Sequence, residues 1–435
     1  MTNQEKLQQV IDNDLCTRCG SCVGLGKGSI EFKDKTGRYL PGIKGQLNAK
    51  DAKEAWSACS GQEVNFPALD SFLFNGEGNH HKYFGTYREL NIGFTTNFEL
   101  RRRCGSAGVI TSTLIWLLEE KMIQGAVVLG MSEKEPWLTK PFIATSKEDV
   151  IKASQSKYVI SSVNELLPEM EAFHGNLAYV GLPCQVHSIR KLQKENHPSV
   201  KNIKYIIAPY CGLNLHFSSI KSFLRSHGKK NYKDIADIKF RHGEWPGNMR
   251  VEMKDGSVFQ LPKFHSNYLI PFHMMKRCLV CVDVANEFTD ISVGDAWAPV
   301  YEERGKGFSI VIGRSEKGVE ILHKMKEEGI IDLIPVNVED TVRMHSHMYD
   351  NKKRGAFLRI RKRRYQPDYN LPFPEGIGFK RRFFEFAMNI IMAILRTRFV
   401  TSLVDILPSN VVGKTFNSFK IFWKRITYTT KRKDL

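Results

Sequence analysis

Of the nine cysteines in this 435-residue chain, eight fall in spacings that could do chemistry. Cys16-Thr17-Arg18-Cys19-Gly20-Ser21-Cys22 sets three thiols two residues apart among small side chains, and Cys59 is the only other thiol nearby. A close triplet with a remote fourth thiolate suits the irons of one iron–sulfur cluster, whereas structural zinc usually takes cysteines as spaced pairs. Cys16, Cys19, Cys22 and Cys59 are therefore expected to hold a [4Fe-4S] cluster, with zinc as the alternative. The second set is scattered. Cys278-Leu279-Val280-Cys281 is a C-x2-C pair, and Cys184 and Cys211 each follow an apolar strand pattern. Sites in α/β sheets form at the carboxyl ends of parallel strands, so two strand ends and a loop pair could converge on one cluster. The alternative is a pair of buried cysteines acting as small apolar side chains.

The first motif matches the opening of the bacterial ferredoxin run, which would continue with x3-Cys-Pro; Gly26-Lys27 stands there instead. In two-cluster ferredoxins that cysteine serves the other cluster, so its absence argues against a two-cluster domain and not against a cluster. The polar start, Met1-Thr2-Asn3-Gln4-Glu5-Lys6, leads into no apolar core and predicts a cytoplasmic location. In a reducing compartment clustered cysteines are metal ligands before they are disulfides, and an odd number cannot pair completely.

A third constellation could hold phosphate. Cys104-Gly105-Ser106-Ala107-Gly108-Val109-Ile110-Thr111 opens an amphipathic pattern, with Arg101-Arg102-Arg103 just before it. Small residues at a helix start let backbone N–H groups approach an anion that the helix dipole favours. The segment suits the pyrophosphate of a flavin or nicotinamide. Read plainly, it is also a capped helix beside a solvated arginine run. His187, three residues after Cys184, could serve as a general acid, although a lone histidine is more often structural. His345 and His347 would share one face only in an extended segment, and an exposed, unliganded pair is expected.

The elements that must position these groups alternate over residues 80–340. Strand patterns at Ala126 to Leu129, Leu177 to Val180, Ile203 to Ala208 and Phe308 to Ile312 interleave with helical ones at Gly105 to Met122, Val163 to Phe173, Gln185 to Gln193, Ser218 to Ser226 and Glu316 to Glu328. This predicts a mixed α/β (α+β) fold whose core has a largely parallel sheet. Asp255-Gly256 marks a hairpin within Arg250 to Phe259. Residues 1–62 form a small ferredoxin-like iron–sulfur segment, 80–340 the cofactor-binding catalytic domain, and 341–435 a basic, partly amphipathic helical extension.

The net charge is +18, and residues 351–435 hold most of it, with 20 Lys and Arg against 5 Asp and Glu. The tail opens with Lys352-Lys353-Arg354 and carries an apolar stretch from Phe383 to Leu395, too short to span a membrane. A basic segment beside an amphipathic helix fits peripheral contact with an anionic membrane; docking on the body or a partner, or plain solvation, is the alternative. No binding motif accompanies the charge, so nucleic acid is not expected.

Several stretches together resemble the coenzyme F-420 hydrogenase/dehydrogenase beta-subunit family, which includes 7-hydroxymethyl chlorophyll a reductase. They are Gly105 to Thr111, Ser156-Lys157-Tyr158, Gly181-Leu182-Pro183-Cys184-Gln185, Pro209-Tyr210-Cys211-Gly212, and Cys278 to Cys281 running through Asp290-Ile291-Ser292-Val293-Gly294-Asp295. The resemblance implies that Cys184, Cys211, Cys278 and Cys281 bind one [4Fe-4S] cluster beside an FAD, with a further cluster on Cys16, Cys19, Cys22 and Cys59. It implies flavin contacts at Ser106, Gly108, Thr111, Lys157 and Gln185. The family often has Gly-Gly where this chain has Ala107-Gly108, and a methyl at Ala107 could crowd the flavin phosphate. Clusters pass single electrons and a flavin takes one or two. The implied function is therefore an oxidoreductase between a one-electron donor such as ferredoxin and a two-electron substrate, F-420 or another organic hydride acceptor. The alternatives are an electron-transfer subunit without substrate chemistry, similar to relatives encoded with surface-polysaccharide enzymes, and a zinc-stapled scaffold.

Overall fold

A computed structural model describes residues 1–35, 37–302 and 306–432. The apolar runs form one eight-stranded sheet: β1 (Glu89–Thr95), β2 (Gly125–Met131), β3 (Thr139–Ala144), β4 (Leu177–Tyr179), β5 (Ile203–Pro209), β6 (Ile291–Asp295), β7 (Ser309–Gly313) and β8 (Ile331–Pro335), in the spatial order β8-β1-β7-β6-β5-β4-β2-β3. The four strands β6, β5, β4 and β2 pair in parallel, and the remaining strands pair antiparallel at the flanks. Because β1 is twice reversed from β6, five strands run in one sense. The carboxyl ends of β1, β4, β5 and β6 therefore meet along one edge, where α/β sheets place ligands.

Successive residues of the central strands point to opposite faces. Val127, Tyr179 and Ile206 pack into one apolar cluster, and their neighbours Val128, Ala178 and Ile207 into another. Helix Pro183–Lys194 covers the first face, and helices Val109–Glu119 and Glu316–Glu327 cover the second. Burial on both sides explains why these strands read as continuous apolar runs rather than alternating ones. The Asp-Gly hairpin forms as expected, pairing Asn248–Met253 with Val258–Pro262.

The N-terminal segment folds as helices Asn3–Asp12, Ser21–Leu25 and Ala49–Ser57 around a small hairpin. It is tied to the body through buried polar contacts: Asn164 Nδ2 donates to Ser21 Oγ (2.8 Å), the Asn164 backbone N–H to the Cys19 carbonyl (3.0 Å), and Lys191 Nζ to the Cys59 carbonyl (2.8 Å).

The C-terminal region differs from a simple basic appendage beginning at 341. Helix Val338–Tyr349, a π-helical turn Asp350–Gly355 and helix Ala356–Ile360 run through the body, and Lys352, Lys353 and Arg354 are buried. Internal partners offset their desolvation: Lys353 pairs with Glu287, and Arg354 with Asp350 (2.9 Å). Only helices Phe379–Leu395, Arg398–Ile406 and Ser409–Arg432 lie over the outside. Among the described residues no single helix is long and apolar enough to cross a membrane; the first two of these pass that test only together, and they are bent by 68°.

Candidate redox site

The scattered thiols converge. Cys184 sits in the first turn of helix Pro183–Lys194, Cys211 follows β5, Cys278 lies within the short 3-10 turn Lys276–Val280 and Cys281 just after it; all four line one cavity of about 30 Å³, with Thr17, Ser60, Asn214, Arg277 and Lys352 among its other walls. The Asn214 N–H points at Cys278 Sγ (3.4 Å). Burial, then the neighbouring thiols, pushes the Cys184 thiol well above its ordinary value; burial pushes Cys211 up to about 12. Four sulfurs cannot all ionise in such a place without a positive partner. Lys352 supplies one: burial acts to lower its pKa, but Cys281, Cys211 and Cys278 hold it above the usual value. Arg277, also buried, adds a second cation, fixed by the carbonyls of Gly61 (3.1 Å) and Ser60 (3.2 Å) and by Tyr369 Oη (2.8 Å).

Cys16, Cys19, Cys22 and Cys59 form a second group. Burial raises Cys22, and Cys16, Cys19 and Cys59 raise it further by their charge; burial pushes Cys16 up to about 11. Cys59 Sγ accepts from the Gly61 N–H (3.4 Å), and Cys19 Sγ lies 3.3 Å from Ser21 Oγ. Among the described residues no three His, Cys, Asp or Glu side chains close around a single ion. In the core set the sulfurs ring a void instead, an arrangement and donor chemistry that fit a cluster better than mononuclear zinc. The two groups adjoin: Cys19 lies within charge range of Cys184, and the buried Tyr179 feels both.

On the far side of the Cys184 set lies a larger cavity of about 430 Å³ at the carboxyl edge of the sheet. Gly105, Ser106, Gly108 and Thr111 line it, at the start of helix Val109–Glu119, whose N-cap carries no side-chain hydrogen bond. Gly108 has φ +80°, and a Cβ there would stand 2.8 Å from Thr95 Cγ2. Ala107 does not crowd this cradle: it is fully buried in the apolar cluster, with its carbonyl accepting from the Thr95 N–H (2.9 Å). Ser106 Oγ lies 3.0 Å from Ser309 Oγ, and Thr111 Oγ1 accepts from Cys104 Sγ (3.4 Å).

Gln185 and Lys157 do not line this cavity. Gln185 is buried, its Oε1 accepting from the Leu182 N–H (2.6 Å) and its Nε2 donating to the Ser161 carbonyl (2.8 Å), so it ties the turn that presents Cys184 to the segment at Ser161. Lys157 donates to the carbonyls of Ala153, Ser154 (2.9 Å) and Gln155 (3.1 Å), and lines a groove of about 790 Å³ that shares residues 154–156 with the cavity. The arginine run does not line the cavity. Arg101 is buried between Phe94 and Phe308 (4.1 and 4.5 Å), Arg102 pairs with Glu244 (2.9 Å), and Arg103 lines the groove. His187 faces the thiols, not the larger cavity; Asp283 Oδ2 accepts from its Nε2 (2.9 Å), and burial holds its pKa below the ordinary value against the pull of Asp283.

One expectation is overturned. His345 and His347 lie on helix Val338–Tyr349, not in an extended segment, and His345 is buried and lines the cavity. Its Nε2 donates to the Asp295 carbonyl (2.7 Å), which leaves Nδ1 an acceptor without a partner. Around it stands a network that motif reading missed. Arg241 Nη1 donates to Tyr158 Oη (2.9 Å), Trp245 Nε1 to Asp295 Oδ1 (2.9 Å), and Lys263 Nζ lies 4.3 Å above the Tyr158 ring. Burial acts to raise Tyr158, but Arg241 and Lys263 outweigh it and hold the phenol below its ordinary value. Tyr158 and Asp295 fall inside quoted motifs; Arg241 and Lys263 carry no spacing signal at all.

One short segment separates the two cavities. Pro209, Tyr210, Gly212, Leu213 and Leu215 face the larger one, while Cys211 and Asn214 face the thiols. Two buried thiol groups and a small-residue anion cradle, in series along the edge of an α/β sheet, define a redox protein. Comparison agrees. The model for the N-terminal part of the coenzyme F-420 hydrogenase/dehydrogenase beta subunit matches residues 92–168, and that for its C terminus matches residues 174–339. The chain is 27% identical to the coenzyme F-420 hydrogenase beta subunit of Methanothermobacter thermautotrophicus, over 67% of this chain and 99% of that protein. It is 26% identical to the coenzyme F-420-dependent sulfite reductase of Methanocaldococcus jannaschii, over 86% of this chain but only 55% of that protein's length. A chain of the F-420-reducing nickel–iron hydrogenase complex from Methanosarcina barkeri shares the fold, with TM-score 0.52 and 23% identity over 67% of this chain and 99% of that one. The protein belongs to the coenzyme F-420 hydrogenase/dehydrogenase beta-subunit family and is an oxidoreductase.

Proposed function

We propose that the chain passes electrons between a one-electron carrier such as ferredoxin and a two-electron organic substrate, F-420 or another hydride acceptor, through two [4Fe-4S] clusters and one FAD. The observation that carries this reading is the wall at residues 209–215, which sets Cys211 on one side and the cavity-lining Tyr210 and Gly212 on the other. Bound there, the clusters would supply single-electron steps and the flavin a two-electron exchange. Cys16, Cys19, Cys22 and Cys59 would hold the outer cluster, and Cys184, Cys211, Cys278 and Cys281 the inner one. Gly105, Ser106, Gly108 and the free N–H groups of the following helix would take the pyrophosphate.

The chain's own groups then do three things. Lys352 and Arg277 balance negative charge beside the inner thiolates. The buried walls keep water away. Tyr158, with its phenol eased toward ionisation by Arg241 and Lys263, and His345, with an open Nδ1, stand in or beside the cavity as groups that can hold a proton.

Anaerobic purification with iron and flavin assays tests the reading. About eight irons and one FAD per chain are expected from two four-iron clusters. Cys281→Ser should lose about half the iron and stop substrate reduction by a ferredoxin-type donor. Zinc in place of iron, or unchanged turnover in that variant, would overturn it.

A further inference from the structure

The three outer helices share a feature that neither the fold nor the redox site requires. On helix Phe379–Leu395 the exposed large apolar side chains are Phe379, Phe383, Phe386, Ile390 and Ile394, a spacing of four and three that draws one stripe along the helix. Phe399, Leu403 and Ile406 repeat it on Arg398–Ile406, and on Ser409–Arg432 Val411, Phe419, Phe422 and Ile426 follow it, with Ile421 and Tyr428 exposed beside them. Phe379, Phe399 and Ile406 are 83%, 79% and 75% exposed, far beyond what an isolated surface apolar residue needs.

The charges are sorted just as strictly. Residues 379–432 contain two carboxylates, Glu385 and Asp405. Both turn inward and are buried: Glu385 meets Arg381 (2.8 Å) and Arg359, and Asp405 meets Arg225 (2.9 Å) and Ser222. The outward surface therefore carries cations, among them Lys380, Arg382, Arg398, Lys414 and Arg425, and no carboxylate. Other inward contacts anchor the helices: Arg396 Nε donates to the Pro271 carbonyl (3.2 Å), and Gly413 lies against His265 so closely that a Cβ would stand 2.8 Å from it.

We infer that this face seats the protein on an anionic lipid surface, with the apolar stripes at the headgroup boundary and the cations over lipid phosphates. Charge complementarity selects that occupant. A second copy would bring one carboxylate-free cationic face against another, and the 68° bend argues for helices lying along a surface rather than through it. The inference is independent of the redox reading, because none of these residues lines either cavity.

Sedimentation of the full-length, anaerobically purified chain with lipid vesicles tests it. The chain should pellet with vesicles of phosphatidylglycerol and phosphatidylcholine in equal parts, not with phosphatidylcholine alone, and high salt should weaken the binding. Phe383→Glu with Phe399→Glu, and separately Lys380→Glu with Arg398→Glu, should each lower partitioning about tenfold or more while iron and flavin contents stay at the wild-type level. Failure to pellet with either vesicle, equal pelleting with both, or a lipid-free dimer that the same substitutions abolish would overturn the proposal.

Discussion

Lys352 is a cation buried beside the inner thiol set. Its ammonium faces Cys211, Cys278 and Cys281. A fixed positive charge favours the more negative, reduced state of whatever the thiolates hold. Lys352→Gln should therefore move the midpoint potential of that centre to more negative values by tens of millivolts, where about 59 mV answers to a tenfold change for one electron. Potentiometric titration followed by electron paramagnetic resonance reads it; an unmoved midpoint would remove Lys352 from the site. Nothing in the sequence announces this lysine, because it stands in the basic run Lys352-Lys353-Arg354, whose obvious home is solvent. His345 was hidden for a similar reason. Its helix buries one ring and leaves the other half-exposed, a distinction that two-residue spacing does not encode. The cysteines were legible because thiolate ligands must recur at set spacings; a charge that acts at a distance obeys no such rule.

Among the elements, the turn from Cys104 to Gly108 decides whether an anion fits. Gly108→Ala would put a methyl 2.8 Å from Thr95 Cγ2 at a φ of +80°. A left-handed non-glycine residue costs about 1–2 kcal/mol. The variant should lose flavin while keeping its iron, which a flavin-to-iron ratio measures; equal loss of both would indicate general unfolding. Four of the eight sheet strands were readable from the periodicity of apolar runs, while Glu89–Thr95, Thr139–Ala144, Ile291–Asp295 and Ile331–Pro335 were not, and the helix expected at Gln185 to Gln193 forms as Pro183–Lys194. The antiparallel flanks were not readable, since pairing direction is a long-range property: β8 joins β1 across more than 230 residues. The groove beside the cradle escaped for the same reason, being assembled from residues 102–103, 131–157 and 236–244.

The whole molecule carries a pH dependence to which the half-buried His216 and the buried His273 contribute. Burial brings His216 down to about 3 and His273 to about 4. Both stay neutral in the fold while the unfolded chain binds their protons near pH 6.5, so the unfolded state holds more protons between those values and stability falls as pH drops through that window. Each unit of depression corresponds to about 1.4 kcal/mol. Thermal denaturation should show a lower Tm at pH 5 than at pH 7, and His273→Asn should flatten the slope; equal slopes would assign acid sensitivity elsewhere. The irregular turn Asp350–Gly355 has a consequence at the same scale. It sends Lys352 to the inner thiols, Lys353 to Glu287, and Arg354 to the Lys431 carbonyl (2.6 Å), while Asp350 grips Arg381 (2.9 Å). Under the proposed cluster assignment this turn joins the inner centre to the seat of the terminal helices, and a coupling between the two would be reciprocal. Filling the thiol cavity would then tighten those helices by the same free energy with which their docking favours metal uptake. Iron-loaded protein should accordingly resist proteolytic nicking within residues 379–432 longer than chelator-stripped protein, and identical cleavage rates would show that the two ends of the turn act separately.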